Sequence, residues 1–205
     1  MSSSIDVASL EAKTVLQRGA GILPVEEEGW WIPRDVPDAS LAEAARLFEQ
    51  IGGATIVEIG SGLHGEFSGN SILAWTTRTS ARQIVAVDLD ESRIAEVRNA
   101  IGSHPAVECV VADGIEYLHR FAGTIDLLYL DFWTPDKDGA VPGTGRAEAY
   151  LDAYHAAREK MGHRAMVLLD DTDHIHPWKH TLIVPAARKD GYRVVYEGRQ
   201  TLLRR

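Results

Sequence analysis

From Ala54 onward the chain alternates short apolar runs with helix-patterned segments, and this alternation limits the fold more than any other feature. The runs ATIVEIG, QIVAVD, VECVVAD, IDLLYLD and AMVLLDD are rich in Val, Ile, Leu and Ala, and each closes on an acidic residue or glycine. Continuous apolar runs of this length are what strands covered on both faces of a parallel sheet look like. Between them, residues 71–79, 91–101, 114–121 and 146–161 repeat apolar side chains at intervals of three and four, as at Ile94, Val97 and Ile101. Repeated βα units joined by right-handed crossovers give an α/β fold, a doubly wound (Rossmann-like), mostly parallel sheet with helices on both faces. The last stretch, GYRVVYEGRQTLLRR, holds two short runs with Gly198 between them. They are too close for a helical crossover, so one antiparallel strand is expected near the C-terminus.

Upstream, Ser40 and Glu43 have the spacing of a capping box, opening a helix that carries Leu41, Ala44, Phe48 and Ile51 on one face and stops at Gly52-Gly53. Residues 1–38 hold three prolines and the adjacent Trp30 and Trp31, an irregular arm or lid ahead of a single domain spanning 39–205. A length of 205 residues suits one such domain. Lys+Arg 21 against Asp+Glu 30 gives a net charge of −9, with no basic run. Nucleic acid and anionic membrane are therefore not expected partners, whereas a small-molecule acceptor is, and a homodimer is compatible with the chain. The single cysteine, Cys109, excludes an internal disulfide and a cysteine-based zinc site and reads as an inert packed thiol in a cytoplasmic protein. The N-terminus carries Asp6 and Glu11 before any apolar stretch, and no run approaches the ~18 residues of a membrane span, so neither a signal peptide nor an anchor is expected.

Chemistry concentrates at the strand ends. The first strand runs into Glu58-Ile-Gly60-Ser61-Gly62, where glycines let the chain turn sharply and let a ligand approach the backbone. Gly60, Gly62 and Gly65 spell G-x-G-x-x-G, the dinucleotide fingerprint, but Glu66 follows and five residues intervene before the next helix pattern, an arrangement unsuited to pyrophosphate. Asp88 ends the second strand, where a carboxylate can accept both ribose hydroxyls, and Asp113 ends the third, within reach of an adenine. Glu58 is placed to meet an ammonium group. Acid, glycine loop, acid and acid suit a ligand with an amino-acid end, a ribose and an adenine; taken singly, each acid can equally cap the helix that follows it.

On these residues the chain resembles the class I S-adenosylmethionine-dependent methyltransferases, over about three quarters of its length. The resemblance implies that Glu58, Gly60 and Gly62 hold the methionine part, Asp88 the ribose, and Asp113 with Gly114 the adenine. Ser61, Leu89 and Asp131 complete the implied cofactor-binding set. Gly65 comes one residue later than that family's pattern has it, with the long loop 64–70 behind it.

The fourth and fifth strands end in Leu130-Asp131-Phe132-Trp133 and Leu169-Asp170-Asp171-Thr172. The resemblance implies that these two strands are adjacent, and neighbouring strands lie about 4.8 Å apart, so these carboxylates can converge, and three together call for a hard divalent cation such as Mg²⁺, Mn²⁺ or Ca²⁺. Alternatively Asp131 alone is functional and the pair caps a loop. The pattern is similar to the metal-dependent O-methyltransferases of the catechol and macrocin type, which implies Asp131, Asp170 and Asp171 as Mg²⁺ ligands and methyl transfer to a hydroxyl of a vicinal diol, catechol or sugar. Candidate general bases are His174, then His176, then Lys137, because histidine titrates near neutrality. Trp30, Trp31 and Trp133 offer flat apolar surface to an acceptor. Three other readings remain: a metal-independent methyltransferase acting on nitrogen or carboxylate, a nicotinamide-dependent oxidoreductase, and a non-catalytic cofactor-binding protein.

Overall fold

The computed structural model describes residues 37–62, 71–136, 140–141, 143–173 and 177–205. Of the arm expected over 1–38, all but the last two residues lies outside the described residues. The elements are α1 (Pro37–Ile51), β1 (Thr55–Ile59), α2 (Ser71–Arg78), β2 (Gln83–Asp88), α3 (Glu91–Ile101), β3 (Val107–Val111), α4 (Gly114–Arg120), β4 (Ile125–Leu130), α5 (Thr144–Ala157), β5 (Met161–Leu169), α6 (His180–Lys189), β6 (Arg193–Glu197) and β7 (Thr201–Arg204). They build one seven-stranded sheet of order β3-β2-β1-β4-β5-β7-β6. Strands β1 to β5 pair in parallel, and β7 runs antiparallel between β5 and β6. The order reverses at β1, and in open α/β sheets that switch point is where ligands enter.

Both faces of the sheet are covered, as the apolar runs require. One face buries Val57, Val85, Leu128 and Val167 under Leu118, Tyr150, Tyr154 and Ile183 of the helices α4 to α6. The other buries Ile56, Ile84, Leu127 and Met166 under Leu41, Phe48, Ile72 and Trp75 of α1 and α2. Alternate residues of each strand thus serve opposite cores.

Three local expectations change. Ser40 lies inside α1, which begins at Pro37, a residue whose fixed φ suits a first helical turn. Its buried hydroxyl donates to Gln200 Oε1 at 2.5 Å, tying α1 to the loop before β7 instead of capping the helix. The helix read over 146–161 runs Thr144–Ala157 with a 3-10 turn at Arg158–Lys160; Met161 already belongs to β5, paired with Ile125 and buried. Strand β3 is an edge strand, so its residues are covered only in part, Cys109 among them; burial still pushes that thiol above its ordinary value, as an inert cysteine requires.

Candidate active site

Gly60 sets the geometry at the carboxyl ends of the central strands. Its φ is +90°, and a Cβ there would overlap the backbone carbonyl of Asp131, so only glycine lets β1 turn away this close to the end of β4. The N–H groups of Gly60 and Ser61 both donate to Val87 O, at 2.9 and 3.1 Å. Beside this turn opens a cleft of about 300 Å³ whose lining includes Gly60, Asp88, Leu89, Asp113, Gly114 and Phe132. Five of the nine residues expected to bind a cofactor therefore share one cleft. Asp88 Oδ1 accepts the Asp90 N–H at 2.8 Å, and Asp113 Oδ1 accepts the Glu116 N–H at 2.9 Å, so each acid also orders the turn that carries it. Leu89 is 71% exposed over the opening, and Phe132 stacks on Tyr150 at 4.6 Å between ring centroids. The cleft offers what a nucleoside needs: carboxylates at two adjacent strand ends, with apolar Ile59, Ile115 and Phe132 in the same lining.

Glu58 and Ser61 lie behind the cleft, fully buried. The Glu58 carboxylate accepts from Ser61 Oγ at 2.7 Å, Ser71 Oγ at 2.9 Å and Trp75 Nε1 at 2.7 Å, a lock between β1 and α2. Burial raises its pKa, against the lowering effect of those donors. Gly62 stands at the edge of the described residues, and the loop beyond it lies outside them.

The second constellation forms as the strand order implies. Asp131 N–H donates to Ile59 O and Asp170 N–H to Leu130 O, carrying the ladder one residue past β4 and β5. Oxygens of Asp131, Asp170 and Asp171 come within 4.8 Å of one another. Asp171 holds φ +52°, alone among the described non-glycine residues in the left-handed region, which aspartate tolerates better than most.

The residues facing these carboxylates come from outside the sequence motif. Lys179 Nζ lies 2.9 Å from Asp171 Oδ2 and 3.4 Å from Asp131 Oδ1, and Arg199 Nη2 lies 2.6 Å from Asp171 Oδ1. Gln200 Nε2 donates to Asp170 Oδ1 at 2.6 Å and to the Tyr129 hydroxyl at 2.9 Å, and that hydroxyl donates to Asp131 Oδ2 at 3.4 Å. Burial and the neighbouring Asp170 push the Asp131 carboxyl well above the usual carboxylate range, with Lys179 opposing. Burial pulls the Lys179 ammonium down, but the Tyr150 oxygen and the three carboxylates outweigh it and hold it above its ordinary value.

As arranged, this donor set does not fit a divalent ion. Mg²⁺ wants an octahedron of oxygens at about 2.0–2.1 Å, whereas an ammonium already sits among these carboxylates. Two positive units about 4 Å from an ammonium would be repelled by roughly 8 kcal/mol at an effective dielectric of 20. Sequence reasoning passed over Lys179, Arg199 and Gln200. One signal was present: Lys179 directly precedes α6, and a cation is disfavoured at a helix N-terminus. The bases expected at Lys137, His174 and His176 lie outside the described residues.

Beyond Asp131 the chain folds over the start of α5. Asp136 accepts the N–H groups of Gly143 and Gly145 at 2.8 and 2.9 Å, and these bonds with Arg146 hold its carboxyl below its ordinary value. Arg146, paired with Asp136 at 2.8 Å, lies between the rings of Trp133 and Trp178, 4.7 and 4.8 Å from their centroids. Trp133, 66% exposed, is thereby fixed at the rim of the cleft.

The sheet order and the cleft over β1 to β4 define a class: this is the fold of the class I S-adenosylmethionine-dependent methyltransferases. No family model matches the chain, and no curated protein matches its sequence. Solved structures do match in fold. An O-methyltransferase from Bacillus cereus in complex with S-adenosylhomocysteine is 14% identical, over 98% of this chain and 91% of that one, with a TM-score of 0.55. A methyltransferase from Geobacter sulfurreducens is 14% identical over 100% and 91%, TM-score 0.56. The Podospora anserina methyltransferase PaMTH1, bound to S-adenosylhomocysteine, is 18% identical over 98% and 88%, TM-score 0.54.

Proposed function

We propose that the chain is an S-adenosylmethionine-dependent O-methyltransferase acting on a hydroxyl of a small molecule such as a vicinal diol, catechol or sugar. The observation that carries this reading is the one cleft lined by Gly60, Asp88 and Asp113, at the ends of the successive neighbouring strands β1, β2 and β3. The B. cereus and P. anserina proteins, which share the fold, are described with S-adenosylhomocysteine bound, and this supports the same cofactor here. S-adenosylmethionine supplies an electrophilic methyl group when bound. Asp88 and Asp113 would hold ribose and adenine, and Phe132 would lie against the base.

Asp131 follows β4 with its backbone against Gly60, and the next residue, Phe132, lines the cleft. Burial and Asp170 raise the carboxyl's affinity for a proton, and a hydroxyl donating to the Asp131 carboxylate would be deprotonated as the methyl group arrives. His174 and His176 follow Asp173 in sequence and stay in the proposal as further bases. Trp133 gives a planar acceptor a flat wall. Mg²⁺, expected from the resemblance, would enter only if Lys179 moved away. No helix among the described residues is long and apolar enough to cross a membrane.

Incubation with methyl-deuterated S-adenosylmethionine and a panel of catechols, diols, sugars, amines and carboxylic acids tests the reading by mass spectrometry. Label should appear on hydroxyl oxygen, and Asp131→Asn should lower kcat by about 10²–10⁴-fold. Label on nitrogen or carboxylate alone would transfer the chain to the metal-independent N- or carboxylate enzymes.

A further inference from the structure

The three carboxylates of the cluster each have a partner supplied by the chain. Asp131 receives Lys179 and the Tyr129 hydroxyl, Asp170 receives Gln200, and Asp171 receives Lys179 and Arg199. Lys179 is 2% exposed, a burial lysine hardly ever reaches unless it is paired. Its ammonium also lies 5.4 Å from the ring centroid of Tyr150, whose hydroxyl is held by Leu130 O and Phe132 O at 3.2 Å each. The left-handed backbone at Asp171 places that carboxylate between Lys179 and Arg199. Helix α6 bears a lysine at an end where a cation is unfavourable, so the carboxylates opposite must compensate for it.

We propose that Lys179 is the built-in cation of this site: its ammonium takes the place of a divalent ion among Asp131, Asp170 and Asp171 and acts as a positioning residue that holds Asp131 toward the acceptor. This rests on the methyltransferase reading above and adds that transfer proceeds without a bound metal. A cation carried on the chain cannot be chelated, and its charge offsets part of the carboxylates' repulsion at any metal concentration.

Manganese is the probe, because its free-ion spin resonance reports binding without any need for activity. Full-length protein dialysed against EDTA and then freed of chelator is titrated with Mn²⁺, alongside Lys179→Met and Lys179→Arg. The wild type and Lys179→Arg should show no saturable binding in the micromolar range. Lys179→Met should gain one bound Mn²⁺ and a higher Tm in its presence, a change that loss of a merely structural lysine would not produce. One equivalent of Mn²⁺ on the wild type, lost in Asp170→Asn, would overturn the proposal, as would a folded Lys179→Met that binds none. If Lys179→Met does not fold, the wild-type and Lys179→Arg titrations decide the matter. S-adenosylhomocysteine is titrated into the same samples: no binding there would sink the methyltransferase reading alone and leave the manganese result readable.

Discussion

Asp88 and Glu58 show how two acids of one sequence pattern come to do different work. Asp88 lines the cleft, while Glu58, fully buried, is occupied by Ser61, Ser71 and Trp75. A charge-assisted hydrogen bond contributes about 1.5–3 kcal/mol, so Asp88→Ala should weaken S-adenosylhomocysteine binding at least ~10-fold by calorimetry, with the fold intact. Unchanged affinity would remove Asp88 from the site. Glu58, so held, also bears on stability. Its folded pKa lies above the ordinary 4.5, so its contribution is fully present below about pH 4.5 and is lost as pH rises through the raised value. Urea midpoints of the wild type should therefore carry a falling component over that window, at most about 1.4 kcal/mol per pH unit, and Glu58→Gln should lack it. An identical slope in the two proteins would contradict the raised value. The sequence shows that an acid precedes the glycine turn; it does not show that Ser71 and Trp75, more than ten residues later, aim their donors at it.

At the scale of elements, the segment after β4 is fixed less by its own residues than by α5. Asp136 holds the N–H groups at the start of α5, and Arg146 returns from that helix to lie between Trp133 and Trp178. Each ring face contributes about 0.5–1 kcal/mol. Arg146→Ala should consequently lower stability by about 1–2 kcal/mol in denaturant melts, and the emission of Trp133 should become more readily quenched by iodide. If quenching does not change, Trp133 is held by something other than Arg146. Single elements were legible because their apolar periods are local: α3 begins and ends at the residues its pattern marks, Glu91 and Ile101. Boundaries set by tertiary contact were not. Ser40 has the spacing of a cap, yet its hydroxyl reaches Gln200, 160 residues away.

The whole molecule was legible to the extent that repeated βα units give a doubly wound sheet; which strands adjoin follows only from the resemblance to the methyltransferases. That resemblance implies that β4 and β5 adjoin and that Asp131 meets Asp170 and Asp171, and they do. It is silent on Lys179, Arg199 and Gln200, which reach the same carboxylates from the start of α6 and from the hairpin turn before β7. A charge set assembled from three distant segments has no local pattern to betray it. What the fold positions, above all, is a cleft at the switch point of the sheet, and titration of the full-length protein with S-adenosylhomocysteine by calorimetry tests most directly the proposal that this cleft takes S-adenosylmethionine. The expected result is saturable binding to one site, unaffected by EDTA and at least ~10-fold weaker in Asp88→Ala, with a stabilisation near 2.7 kcal/mol at 100 times the Kd. Absence of binding, with NAD⁺ stabilising the protein in its place, would contradict the account.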